Sequence, residues 1–209
     1  MARKWIGYIG VGSLMCAALG CGILYTRQAR LQQAISDKVL RFHVLANSDS
    51  EADQTLKLAV RDRVLQEYGD LLETCTSKEE TLAALKNAQQ EISETAEAEV
   101  LAQGYTYPVR VSLVREEFPF KKYGDLIFPA GVYDALRIEI GEAKGKNWWC
   151  VLYPQMCYVD AVWGYSTEES HVRLQNTLTK EEFLVVSAME QKKVTPKIKC
   201  RLVELWSER

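Results

Sequence analysis

Hydrophobic positions along the chain change their period three times. From Trp5 to Tyr25 every residue is uncharged (WIGYIGVGSLMCAALGCGILY), with Arg3 and Lys4 before the run and Arg27 and Arg30 after it. Helical rise of about 1.5 Å per residue carries such a run across roughly 30 Å, the thickness of a bilayer core. Small-x-small cleavage options such as Gly20-Cys21-Gly22 fall inside the run. Its length therefore favours an uncleaved anchor, with a cleaved export signal as the alternative. The flanking charges nearly balance, but a short basic N-terminus ahead of a first apolar segment keeps that end in the cytoplasm and exports the remainder. Residues 1–30 are thus read as export signal or membrane anchor, and 31–209 as one extracytoplasmic domain.

In the body, residues 27–37 read as a short polar connection, and Val39 to Ala46 (VLRFHVLA) as a buried strand. Ser48 and Glu51 form a capping-box pattern before a helix with Leu56, Val60, Val64, Tyr68 and Leu71 on one stripe, weakened or ended at Gly69. A second box, Ser77 with Glu80, opens a helix with Leu82, Leu85, Ile92 and Val100 inward, ending near Gly104. Its acidic outer face reads as a solvated surface. From Tyr107 the period becomes two: Val109, Val111 and Leu113, and later Leu136, Ile138 and Ile140, alternate with polar residues as half-buried strands do. Between them lies a long aromatic loop, FPFKKYGDLIFPAG. A connection of that length usually has a function. Trp148 to Tyr153 reads as an apolar strand, Thr179 with Glu182 as the cap of a helix through Met189, and Ile198, Cys200 and Leu202 as a last strand. The predicted fold is α+β: a mostly antiparallel sheet packed against two long helices, preceded by the N-terminal segment.

Composition alters this picture only slightly. With 26 basic and 28 acidic residues the chain has a formal charge of −2, which gives no reason to expect nucleic acid as a partner. Export makes cysteine pairing relevant. If the chain folds back about Tyr153-Pro154, Cys150 and Cys157 become opposite one another and are a candidate disulfide, with two buried free thiols as the alternative. Cys150, His43 and Asn147 are the right types for a nucleophilic set, but cysteine in an apolar strand usually behaves as a small hydrophobe. Asp49, Glu51 and Asp53 lack the glycine and distal glutamate of a calcium loop, and helix capping accounts for them. Gly-rich phosphate loops, serine elbows and zinc-protease motifs do not occur. No cofactor, metal or small-molecule substrate is expected. What remains is a surface argument: Tyr123, Phe128 and Pro129 in the aromatic loop, with Trp148 and Trp149, are candidate binding anchors, with packing of the loop on its own sheet as the equal alternative.

Several stretches together resemble the stage II sporulation protein R family of endospore-forming bacteria. They are Arg41-Phe42-His43-Val44-Leu45-Ala46-Asn47-Ser48-Asp49-Ser50, then Asp53-Gln54, Leu56-Lys57 and Val60-Arg61-Asp62, then Tyr123-Gly124-Asp125, Phe128-Pro129-Ala130-Gly131 and Tyr133 to Gly141. The most specific is Gly145-Lys146-Asn147-Trp148-Trp149-Cys150-Val151-Leu152-Tyr153-Pro154, with Cys157 and Asp160 downstream. The resemblance implies a secreted, noncatalytic signalling protein made in the forespore and delivered to the space between the two membranes of the sporulating cell. There it would trigger a membrane-embedded aspartic protease of the mother cell, stage II sporulation protein GA, which removes the inhibitory pro-sequence of sigma E. The family supplies no catalytic residues to carry over. The expected partner contacts are His43, Asn47, Asp49, Tyr123, Asp125, Phe128, Pro129, Trp148 and Trp149. A secreted hydrolase using Cys150 and His43 on peptide or cell wall is the competing expectation.

Overall fold

The computed structural model describes residues 2–157 and 168–188, with the side chains of residues 2–18 outside the description. The expected strand over 198–202, Asp160, Cys200 and the helix end at Met189 therefore lie outside the described residues. A first helix, α1 (Ala2–Lys38), leads directly into β1 (Leu40–Leu45). It is followed by α2 (Glu51–Glu73), α3 (Lys78–Asn87), α4 (Gln89–Ala102) and β2 (Val109–Phe118). A small hairpin, β3 (Lys121–Tyr123) and β4 (Leu126–Phe128), precedes β5 (Gly131–Ile140), β6 (Asn147–Tyr153), α5 (Glu168–Thr177) and α6 (Lys180–Ala188). Among the described residues no helix is long and apolar enough to cross a membrane; most of the uncharged run from Trp5 falls on the side chains outside the description.

Four local expectations change. Residues 27–37 are not a connection but the continuation of α1, whose exposed C-terminal carbonyls are met by a distant lysine: Lys78 Nζ donates to Ser36 O (3.2 Å) and Asp37 O (2.9 Å). A cation there complements the helix dipole and fixes where the helix stops. The cap of α2 is Ser50, whose Oγ accepts from Asp53 N at 3.1 Å, because the Ser48 hydroxyl is already committed to the Asp53 carboxylate at 2.5 Å. Gly69 is buried inside α2 and does not end it. The second long helix is broken at Ala88 into α3 and α4, where Gln89 Nε2 reaches across to Val111 O (3.0 Å) and docks the kink on β2.

The α+β class stands, but the sheet is mixed. Its order is β2-β5-β1-β6, with β1–β5 parallel and the other two pairs antiparallel. The parallel pair arises because the chain passes through three helices and β2 before β5 enters beside β1. The aromatic loop is no irregular connection: β3 and β4 pair across a tight turn at Gly124-Asp125, with Gly124 at φ +61°, a left-handed value suited to glycine.

Both sheet faces are covered. On one side Leu40, Phe42, Val44, Leu136, Ile138, Cys150 and Leu152 pack against α2 and α4. On the other, Phe118, Tyr133, Ala135 and Val151 pack with Ile35 and Val39, Leu126 and Phe128, Leu174 and Val186. Central strands between two layers lose polar alternation, and β1 is buried at Leu40 to Val44.

The turn between β5 and β6 lies hard against the β1–α2 connection. A Cβ on Gly145 would overlap the Ser48 carbonyl well inside van der Waals contact. Gly145→Ala is therefore expected to cost about 1–3 kcal/mol by forcing backbone apart, read as a lower urea midpoint at unchanged slope. A midpoint equal to wild type would show that the two turns separate freely.

Candidate functional site

Along β1 the side chains alternate between the two buried layers. Leu40, Phe42 and Val44 point to the helix side, and Arg41 and His43 to the other. Arg41 is fully buried. Its Nε donates to Cys150 O (3.1 Å) and one terminal nitrogen to Tyr123 Oη (2.9 Å), while Nη1 has no hydrogen-bond partner among the described residues. Its guanidinium carbon lies 4.8 Å from the Phe118 ring centre, 5.2 Å from Tyr133, 5.3 Å from Phe128 and 5.7 Å from Tyr123. The four rings replace a counter-ion with π faces. Burial holds the Tyr123 phenol far above its usual value, and it pushes Tyr133 up to about 12, so both stay neutral. Burial and the neighbouring Cys150 likewise push the Cys157 thiol well up, so it supplies no negative charge either.

One step further along β1, His43 is stacked on Trp149 (ring centres 3.7 Å apart, 17° between planes) with Phe118 edge-on at 5.8 Å. Its Nδ1 lies 2.8 Å from Glu116 Oε1, and Arg137 bonds the other Glu116 oxygen at 3.1 Å. A carboxylate accepts, so Nδ1 donates, and the remaining nitrogen, Nε2, is buried with no partner. No substrate can reach it there. Cys150 pairs with Phe42 and packs on the helix side, one sheet face away from His43. The nucleophile–base arrangement of the hydrolase expectation is thereby absent from this geometry. Among the described residues no group of His, Cys, Asp and Glu has metal-site geometry.

The third constellation lies at the end of β1. The Asp53 carboxylate accepts from Asn47 Nδ2 (2.9 Å) and from the Ser48 hydroxyl (2.5 Å), while the Asp53 backbone N–H donates to Ser50 Oγ (3.1 Å). Asn47 Oδ1 accepts from Glu142 N (2.9 Å), Asp49 from Lys146 N (2.7 Å), and Ala46 O from Gly145 N (2.9 Å). Gly141, at φ +60°, leaves the room that Asn47 fills. Lys57 closes the network on Lys146 O (3.0 Å). The Ser48 and Asn47 hydrogen bonds hold the Asp53 carboxyl below its usual 3.8 despite the opposing effect of burial. The result is a rigid double turn with Glu142, Lys144, Lys146 and Asn147 exposed on its outside.

The sheet also has a direction relative to α1. Gln32 lies against Gly131 at the start of β5, Arg115 joins Asp37 to Asp134 further along, and β1 then runs parallel to β5. The double turn is therefore at the end remote from the apolar part of α1, and the β3–β4 hairpin at the near end. Ten residues of β5 separate them, about 30 Å. The aromatic loop and the Asn47–Ser50 turn, expected to form one contact surface, lie at opposite ends.

Of the expected contacts, His43, Phe128 and Pro129 are buried, so they support the fold from within. Tyr123, Trp148 and Trp149 are half-buried, spent on Arg41, on Phe42 with Arg61, and on His43 with Lys121 respectively. Asn47 and Asp49 build the double turn, and Asp125 meets His171 Nε2 at 3.1 Å. Cys150 and Cys157 are free thiols, and residues 154–157, the last described before 168, form a turn and bend; Cys157 Sγ donates to Val151 O at 2.9 Å. Sequence reasoning missed Arg41, Glu116 and Lys78 as organisers. The one available sign was a charge at Arg41 in a strand too apolar to alternate.

Comparison with known proteins gives a consistent result. Residues 36–163 match the family described as stage II sporulation protein R. The chain is 33% identical over 184 residues to stage II sporulation protein R of Bacillus subtilis (strain 168), covering 83% of this chain and 82% of that protein. No solved structure matches.

Two outcomes follow from the geometry. Tyr123→Phe strips an acceptor from a buried guanidinium that already has one unpartnered nitrogen, and should cost about 1–3 kcal/mol in chemical unfolding; a loss below about 0.5 kcal/mol would show the hydroxyl to be dispensable. Asp53, with its folded value depressed below 3.8, contributes stability that is present above about pH 4 and lost as pH falls through the folded value. Asp53→Asn should flatten the stability–pH curve in that acid window. An unchanged acid limb would place the titration elsewhere.

Proposed function

The chain belongs to the stage II sporulation protein R family, and from that premise we propose that it is an exported sporulation signal. In this reading it crosses the forespore membrane and activates the membrane-embedded, sigma E-processing protease (stage II sporulation protein GA) by binding its outward-facing part. The observation that carries the reading is the double turn: Asn47–Ser50 and Gly145–Asn147, two of the stretches that carry the family resemblance, are interlocked into a rigid, polar surface at the end of the sheet remote from α1. An anchored α1 turns that end away from its own membrane. From Leu24 to Lys38 the helix rises about 21 Å, and β1 adds about 20 Å, so the double turn would stand some 40 Å out, facing a partner across the gap.

Activation requires unequal binding. Moving a protease equilibrium from about 1:99 to 99:1 takes about 5.5 kcal/mol of preference for the active form, more than isolated surface ion pairs supply. A preorganised surface loses little entropy on binding and can deliver such a preference. The burial of His43 and its separation from Cys150 favour this over the hydrolase alternative.

The test is sigma-factor processing in sporulating cells, with the amount of each variant measured in parallel. Reversing Lys144 and Lys146 together (Lys144→Glu, Lys146→Glu) should lower processing about tenfold, a loss of ~1.4 kcal/mol, at wild-type abundance. Lys122→Glu, on the hairpin at the other end, should leave processing unchanged. The opposite pattern would move the contact to the hairpin, and normal processing in both would remove the double turn from the mechanism.

A further inference from the structure

Exposed apolar side chains gather at one place on this molecule. Eleven large hydrophobic side chains are exposed among the described residues; four of them, Leu19, Ile23, Leu24 and Tyr25, lie on α1. Two more, Phe120 and Leu184, are about half exposed and lie beside the helix. Together with Leu31, Pro129 and Val185, Leu24, Phe120 and Leu184 line an open groove of about 860 Å³. Its walls are fixed: Arg27 pairs with Glu181, Lys38 bonds Glu182 at 2.7 Å, and the hydrogen-bonded cap of Thr179 and Glu182 sets the start of α6. Leu184 is thus held in position on α6, and Phe120 is held by the β2–β3 turn.

Contiguous apolar surface of this kind marks a membrane or a partner, and its position decides between them. Leu24 belongs both to the uncharged run and to the groove. From Leu24 to Leu31 the helix rises only about 10 Å, so the groove begins where the run ends and lies against the headgroup layer next to the bilayer core. Its neighbours suit that layer: Tyr25 at the junction, and Arg27 and Arg30 just beyond it, are residue types that settle at the interface and attract anionic lipid.

We propose that the open face formed by α1, α6 and the Phe120 turn rests on the lipid surface from which α1 emerges, with Phe120 and Leu184 inserted at headgroup level. The inference rests on the reading of α1 as a membrane anchor. It adds a second attachment, which fixes the tilt of the domain and hence the direction in which the double turn points.

The experiment uses the full chain in vesicles of phosphatidylethanolamine and phosphatidylglycerol, with the photo-crosslinking residue p-benzoylphenylalanine replacing Met15, Phe120, Leu184 or, as a control on the opposite layer, Glu97. Lipid adducts are quantified by mass spectrometry after illumination. Positions 120 and 184 should give about tenfold more lipid adduct than position 97, alongside strong labelling at 15. Labelling at 15 with only control levels at 120 and 184 overturns the second attachment and leaves the anchor. Labelling at 120 and 184 without 15 keeps the surface contact and removes the anchor. Crosslinks between two copies of the chain at 120 or 184, in place of lipid, overturn the proposal in favour of self-association.

Discussion

A guanidinium buried without a carboxylate among the described residues governs one whole layer of this fold. Arg41 sits where an alternating strand would place an apolar side chain, and its charge has to be accommodated by neutral groups: four aromatic rings, a phenol oxygen and a backbone carbonyl. Each of these comes from a different part of the chain. Phe118 ends β2, Tyr123 and Phe128 form the hairpin, Tyr133 begins β5 and Cys150 lies on β6. An unpaired buried charge is expensive, so the elements that surround it cannot drift apart without exposing that cost. The hairpin is small, with three residues in each strand, and would be marginal by itself. The cage explains why it is ordered.

The same logic extends along β1. Next to the caged arginine comes a histidine clamped between Trp149 and Glu116, and after it a turn in which the side chains of Asn47 and Ser48 both donate to Asp53. Buried polar networks that are nearly complete make a structure rigid and specific. Read from Arg41 to Asp53, the chemistry that sequence motifs might assign to catalysis or metal binding is used to lock β1 to its neighbours.

Much of the secondary structure was legible because periodicity reports burial directly. β1, β2, β5 and β6 and the caps at Ser77 and Thr179 lie where the pattern put them. Misreadings occurred where a distant partner decides. Residues 27–37 looked like a linker, yet Lys78 and the packing of Ile35 and Val39 carry the helix through them. Ser48 looked like a cap, but Asp53 claims its hydroxyl. The aromatic loop could be read either as exposed anchors or as packing on its own sheet, because sequence shows composition without direction. The buried arginine on β1 shows why Phe118, Phe128 and Tyr133 point inward.

These constraints give the molecule two unlike ends. Near α1 the surface is apolar and continuous with a run of uncharged residues; at the far end of β5 the double turn is polar and interlocked, with Glu142, Lys144, Lys146 and Asn147 exposed. A signal of the kind proposed would need this polarity, because one end would hold station while the other discriminates. It also needs stiffness between them, since flexing of the body would turn partner binding into an entropy cost. The parallel β1–β5 pair at the centre, buried on both faces and pinned at one end by Arg41 and at the other by the double turn, supplies that stiffness. A buried charge near the first end therefore bears on the second: loosening the cage would free the near end of β1, and with it the direction in which the double turn points.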